Sequence, residues 1–306
     1  MSTEALPNRR SALRVLAAEH PGGVIAAIVL GAIALAAAAA PLIAPQDPFD
    51  LASFDVLDAS LPPSFLEASD PRFLLGTDAQ GRDLLSAIFY GTRISLSVGL
   101  LAVVIAAAVG VPLGLLAGYA GGRVDTVVTR AADIQLSLST LMMAIIALAL
   151  FRAGFGGESF GRFAVPLLAV VIGLAEWPYL ARTARAATQV EAAKDYVRAA
   201  RALGASTPRL LRHHILPNIA SPLIVVATTQ IAGAIMAEAA LSFLGLGMPV
   251  TKPSLGTLIR SGYDLMFAGA WWVTVIPGLV LIGLLVSVNV LGDALRDALN
   301  PRRRSA

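Results

Sequence analysis

The chain contains no cysteine. Disulfides, thiol catalysis and cysteine-based metal sites are therefore excluded. It is also poor in charge: Asp, Glu, Lys and Arg together make up 14% of 306 residues, against roughly a quarter in a soluble domain. A globule of this size with so little charge does not cover its own surface. Histidine is scarce, with only His20, His213 and His214 present. The last two are adjacent and point apart on a helix, so they make a poor metal pair. No His-x-x-Glu-His pattern exists, which removes the metal site that an intramembrane protease of that type needs. Gly154-Phe-Gly-Gly157 lacks the Lys-Ser/Thr that completes a phosphate loop. No nucleic-acid motif or long basic run occurs, and Arg302 to Arg304 is a short tail.

Apolar residues, by contrast, make up 57%, and the mean hydropathy is +0.75. A membrane helix needs about 20 apolar residues in a row. Gly22 to Ala44 is uncharged for 23 residues, Ile94 to Gly118 for 25 and Ile134 to Phe151 for 18. Phe163 to Leu180 carries only Glu176, and Ile215 to Gly247 only Glu238. Ala268 to Gly292 gives another uncharged run. The expectation is an all-α polytopic membrane protein with six transmembrane helices. Pro112, Pro166, Pro178, Pro222 and Pro277 are tolerated inside them, because neighbouring helices re-satisfy the freed backbone groups. The first run exceeds the 7–15 residues typical of a signal-peptide core and reads as a retained anchor.

Lys and Arg set the orientation. With the N-terminus in the cytoplasm, the inner segments (N-tail, 119–133, 181–214 and C-tail) hold 16 of the 23 Lys and Arg residues. Both termini are then cytoplasmic, and Trp271, Trp272 and Tyr119 fall at membrane interfaces as an aromatic belt. The chain divides into a tail (1–21), a first membrane helix (22–44), an outer loop (45–92), a core (93–293) and a C-terminal tail (294–306). The outer loop is rich in Pro and Asp and has too few apolar residues for its own core, so it lies on the membrane part.

The cytoplasmic segment 181–214 is the most informative. Glu191 to Leu203 reads as an unbroken helix, with Gly204 where a helix-terminating glycine belongs. Ser206 or Thr207 before Pro208 restarts a helix, and Leu216-Pro217 enters the fifth span. Ala199, Ala200, Ala202 and Leu203 give a thin apolar surface flanked by Arg198 and Arg201. Two readings fit: a helix docking in a groove on another protein, or a basic loop lying against anionic lipid.

This segment resembles the "EAA" loop of binding-protein-dependent ATP-binding-cassette (ABC) importer permeases. That pattern runs Glu-Ala-Ala, three residues, Gly, nine residues, Ile, any residue, Leu and often Pro. Ala199-Ala200, Gly204 and Leu216-Pro217 match it, whereas Arg198 replaces the glutamate and His214 the isoleucine. Glu191-Ala192-Ala193 is a look-alike at the wrong spacing to Gly204. Tyr196 to Ser206 reads like the loop of the peptide/nickel branch. Leu75 to Asp83, Tyr90 to Ser95, Gly110 to Gly114, Gly118 to Asp125, Ala237 to Gly247 and Asn289 to Pro301 also resemble that branch, and the layout is similar to its C-type subunits.

The resemblance implies a type I importer permease fold in a bacterial cytoplasmic membrane, and a non-catalytic subunit. It implies a homologous second permease, two ATPase subunits docking on coupling helices, and an external substrate-binding protein. ATP and Mg would bind on the ATPases, and this chain would hold no cofactor. The docking set would be Arg198, Ala199, Ala200, Arg201, Leu203, Gly204, Ala205, Leu216 and Pro217. Substrates of such permeases include dipeptides, longer peptides, nickel complexes, glutathione and opines. A secondary transporter or channel is the reading of a different class, and it would have no use for segment 181–214.

Asp133, Glu176 and Glu238 lie in or near spans, where a charge usually faces a cavity or a partner. They either line the pathway or its gate, or sit at wet interfaces and in structural hydrogen bonds. Glu238 lies four residues before Ser242 on one helical face. In the outer loop, Asp78, Arg82 and Asp83 either contact a partner or form a local salt bridge.

Overall fold

The structure is a computed structural model, which describes residues 21–50, 55–67 and 69–299. Most of the N-terminal tail, with Arg9, Arg10, Arg14 and His20, and the basic C-terminal residues 302–304 lie outside it. The main helices are α1 (Pro21–Ala38), α2 (Leu84–Ala120), α3 (Gly122–Ser137), α4 (Thr140–Ala192), α5 (Asp195–Ala202), α6 (Leu216–Phe243), α7 (Leu255–Met266) and α8 (Trp272–Leu299). The only β pairing among the described residues is an isolated bridge between Thr77 and Asp83. In lipid a helix satisfies its own backbone groups, so each long apolar run becomes one.

Five helices are long and apolar enough to cross a membrane, where the sequence suggests six runs. The difference lies in α4, which has 53 residues and would measure about 80 Å if straight. It is not straight. Gly156 has φ 77° and ψ 169°, a backbone conformation that breaks the helix. Thr140 Oγ1 lies 3.4 Å from Glu176 Oε1, although 36 residues separate them. A continuous helix would hold them about 54 Å apart. Ala144 and Leu148 likewise share one buried cluster with Phe160, Ala164, Leu168 and Ile172. The two arms of α4 therefore pack antiparallel, with the turn at Gly156. The first arm starts at Thr140 rather than Ile134, because Leu138 is extended (φ −96°, ψ 139°).

The second arm of α4 packs tightly on α2. A Cβ at Gly110, Gly114 or Gly118 would lie 2.4, 2.3 or 2.6 Å from the carbonyl oxygens of Trp177, Ala181 and Arg185. From the other side, a Cβ at Gly173 would lie 2.6 Å from Ala102 O. These pairings rise together along both chains, so the helices run in the same direction. Spacing of four puts the three α2 glycines on one helical face.

α2 starts at Leu84, earlier than the expected loop end, because Asp83 caps it by accepting from the Ser86 amide at 2.8 Å. The preceding loop is seated on the helices as expected. Leu66 and Leu75 pack against the cluster formed by Leu84, Ile88, Ile235, Leu258, Val273 and Leu284. Trp272 belongs to this cluster and donates from Nε1 to Thr77 O at 3.4 Å. It is thus buried, not part of a lipid-facing belt, because the loop supplies both its apolar and its polar contacts. Trp271 next to it stays exposed at 39%. Tyr119 is likewise engaged internally, with the Arg201 guanidinium 4.9 Å above its ring.

Gly114→Val places a branched side chain into the α2–α4 seam, and overpacking of this kind costs about 1–3 kcal/mol. The purified variant is expected to unfold at a lower temperature than the parent. Gly154→Val is the control, since a Cβ there meets nothing within 4 Å, and its thermal transition should stay near the parent's.

Candidate functional site

At its C-terminal end, α4 stops at Ala192, and α5 begins at Asp195. The expected unbroken helix from Glu191 is therefore interrupted, with Lys194 extended at φ −72° and ψ 148°. The turn is held by a polar network. The Tyr196 hydroxyl donates to Glu191 Oε1 at 2.5 Å. Asn218 Nδ2, on α6, donates to Tyr196 Oη at 3.2 Å and to His214 O at 2.6 Å. Lys194 Nζ pairs with Glu191 Oε2 at 2.8 Å. Burial first, then the Glu191 carboxylate, push the Tyr196 phenol above the usual tyrosine range, so it remains a donor at neutral pH. Glu191, Tyr196 and Asn218 were not legible as a set. Neither Gly nor Pro marks the break, and Asn218 is distant in sequence.

α5 has two faces. Val197 is buried in a cluster with Leu180 and Ala184 of α4 and with Leu210, Leu211 and Ile215. Ala200, Ala205 and Leu216 pack against that cluster. Those three candidates thus pack in part against the chain itself. Arg198, Ala199, Arg201, Ala202, Leu203 and Gly204 are exposed, as is Pro217 at the start of α6. Leu203 is 88% exposed. Arg198 pairs with Asp195 at 2.9 Å on the same helix. Gly204 adopts φ 84°. Its amide donates to Arg201 O at 3.0 Å, and the Ala205 amide to Ala200 O at 3.1 Å. These two bonds make the left-handed cap that ends a helix at glycine. Residues 210–215 then continue as a π-type turn directly into α6.

The candidates within and beside the spans differ from one another. Glu238 on α6 is fully buried. It accepts from Ser95 Oγ of α2 at 2.7 Å and from Ser242 Oγ at 2.6 Å. Ser242 Oγ in turn accepts from the Met248 amide at 3.0 Å. This chain of bonds ties α2, α6 and the following turn together, and Glu238 faces no open space. Asp133 on α3 pairs with Arg182 at 2.5 Å with both side chains near half exposure. About two turns earlier on the same helix, Asp125 takes a bidentate pair from Arg185 Nε and Nη2. Hydrogen bonding from Arg185 holds the Asp125 carboxyl below the usual carboxylate range. Glu176, on the second arm of α4, has only neutral partners: Thr140 Oγ1 and Gln230 Nε2, both at 3.4 Å.

In the outer loop, the Asp78 and Arg82 side chains are 0% and 2% exposed and pair at 2.6 Å. Arg82 Nη1 also donates to Val250 O at 2.9 Å, which joins the loop to the segment after α6. Asp83 is occupied as the α2 cap. Of the two readings for these residues, the local salt bridge is what forms. They present no charge at the surface. Among the described residues, no group of three or more His, Asp or Glu residues is placed to hold a metal.

Arg82→Ala leaves Asp78 buried without its cation, a change that costs about 3–5 kcal/mol. The outer loop of this variant is expected to become sensitive to added protease under conditions where the parent is resistant.

The model of the family described as "Binding-protein-dependent transport system inner membrane component" matches residues 110–305. A dipeptide transport system permease protein of Haemophilus influenzae is 39% identical over 284 residues, spanning 93% of this chain and 92% of its own. Its counterpart in Escherichia coli K12 is 41% identical over 285 residues, spanning 92% and 90%. A di/tripeptide transport system permease protein of Pseudomonas aeruginosa is 41% identical over 267 residues, spanning 87% and 84%. Among solved structures, an inward-facing MetNI methionine ABC transporter chain matches with a TM-score of 0.56 at 19% identity, covering 70% of this chain and 96% of that one.

Proposed function

The chain belongs to the family of binding-protein-dependent transport system inner membrane components, and on that premise we propose that it is a permease subunit of an ATP-driven importer of di- or oligopeptides. The observation that carries the peptide reading is near-full-length similarity, at 39–41% identity, to permeases named for dipeptides and di/tripeptides. Members of this family are the non-catalytic membrane subunits, and ATP is hydrolysed on separate chains.

In this reading the chain crosses the bacterial cytoplasmic membrane six times. α1, α2, α6 and α8 each cross once, and α4 crosses twice because it turns back at Gly156. Both termini and α5 lie in the cytoplasm, in keeping with the excess of Lys and Arg on that side. A homologous second permease completes the pathway, two ATPase subunits engage the two permeases, and an external binding protein delivers the substrate. ATP and Mg belong to the ATPases.

α5 is the coupling helix. Its exposed face offers small side chains, Ala199 and Ala202, with Leu203 as an anchor and arginines beside them. Such a surface sinks close into a groove bordered by carboxylates. Its other face packs through Val197 into the cluster shared with α4 and the π-type turn that leads into α6, and the Glu191–Tyr196–Asn218 network links α4, α5 and α6. A push on α5 is therefore delivered to two membrane helices at once, with no slack turn between. Gly204 closes the helix without projecting a side chain.

Leu203→Glu is expected to leave the protein folded and inserted, since the side chain touches little of its own chain, while peptide uptake falls at least about tenfold, the scale of a lost interface anchor. Val197→Ala instead is expected to lower stability by about 1–2 kcal/mol. The central experiment is uptake of a labelled dipeptide in cells with and without the gene, with a longer peptide, glutathione and a nickel chelate as competitors. Loss of uptake on deletion, relieved by restoring the gene and competed only by peptides, supports the proposal. Unchanged uptake redirects the substrate search to nickel chelates, glutathione and opines.

A further inference from the structure

Two acceptors deep in the helices lack a matching donor. Glu176 is the first. A carboxylate within a spanning helix is normally matched by a cation or a strong hydrogen-bond set, as Glu238 is by Ser95 and Ser242 at 2.7 and 2.6 Å. Glu176 has no Lys, Arg or His against it among the described residues, and its side-chain donors stand at 3.4 Å. The second is Gln230 on α6. Its side chain is 8% exposed, and its Nε2 is committed to Glu176 O at 3.0 Å. Its Oε1 is buried with no hydrogen-bond partner. An unmet buried acceptor destabilises the fold, and such a cost is retained where a ligand relieves it. Glu176 is also only partly buried, so it borders open space. A partly exposed carboxylate does not face hydrocarbon, which leaves a water-filled cavity or a partner surface.

A negative acceptor beside a neutral one calls for a ligand that is cationic and carries several N–H donors. A primary ammonium has three. Resting on the peptide-importer reading, we infer that Glu176 and Gln230 form a subsite in the pathway for the α-ammonium group of the peptide. The carboxylate takes the charge and one N–H, and Gln230 Oε1, closed off in this conformation, takes a second N–H when the pathway opens. Thr140 at the start of α4 borders the subsite. This gives the permease its own contact with a group that every unmodified peptide carries, whatever its side chains.

The absence of cysteine makes a direct test available. Met143→Cys, one turn from Thr140, is introduced into the full transporter in a background otherwise free of reactive thiols, and its labelling by a maleimide is timed. A free dipeptide at millimolar concentration is expected to slow labelling, and the same dipeptide N-acetylated is expected not to. In Met143→Cys with Glu176→Gln, the protection by free dipeptide should weaken about tenfold in concentration, the scale of one charge-assisted hydrogen bond. Glu176→Asp should retain part of it. Equal protection by both dipeptides, or full protection in Glu176→Gln, overturns the inference. So does failure of Glu176→Gln to assemble with the second permease, since the carboxylate is then matched by a partner's cation. A parent transporter that takes up no peptide overturns the substrate reading together with the inference. A parent that takes up peptides without amine-dependent protection overturns the inference alone.

Discussion

The seam between α2 and the second arm of α4 is the contact on which the rest depends. Lipid tails are as apolar as leucine, so membrane helices gain little by hiding apolar side chains from them. Association rests on close approach instead. Gly110, Gly114 and Gly118 bring the α2 backbone against the carbonyls of Trp177, Ala181 and Arg185, and Gly173 does the same from α4. That arm carries Glu176 midway and Glu191 at its C-terminal end. Its register against α2 therefore fixes both the intramembrane polar cluster and the platform from which α5 hangs. The pairs Asp125–Arg185 and Asp133–Arg182 then clip α3 to the same arm.

Much of this was legible in one dimension. A run of 20 apolar residues is a signal that needs no knowledge of neighbours, and Gly204 announced the end of α5 by being the one residue at ease at φ 84°. What was not legible involves partners far apart in the chain. Trp272 looks like an interfacial aromatic until Thr77, 195 residues away, accepts its N–H. Ala200 looks like part of an outward apolar stripe until Leu210, Leu211 and Ile215 return beneath it. Glu191 looks like a misplaced motif residue until Tyr196 and Asn218 close on it.

The acidic residues show how composition alone misleads. Asp133, Glu176 and Glu238 appear equivalent as charges in or near apolar runs. In three dimensions one is a surface ion pair, one has weak neutral donors and one is fully buried with strong donors. Only the environment separates a structural carboxylate from one with bonding capacity left over. The same holds in the outer loop, where Asp78 and Arg82 spend their charges on each other.

The π-type turn at Leu210–Ile215 has a consequence for how this loop tolerates insertions and deletions. A π turn is an α-helix carrying one additional residue. Removing a single residue there would restore α-helical winding and leave the flanking residues close to their present bearing, because the π turn absorbs the additional residue locally. The turn thus works as a local tolerance in residue number at the entrance to α6. A relative one residue shorter in this segment would keep the same approach to α6 by winding it as plain α-helix.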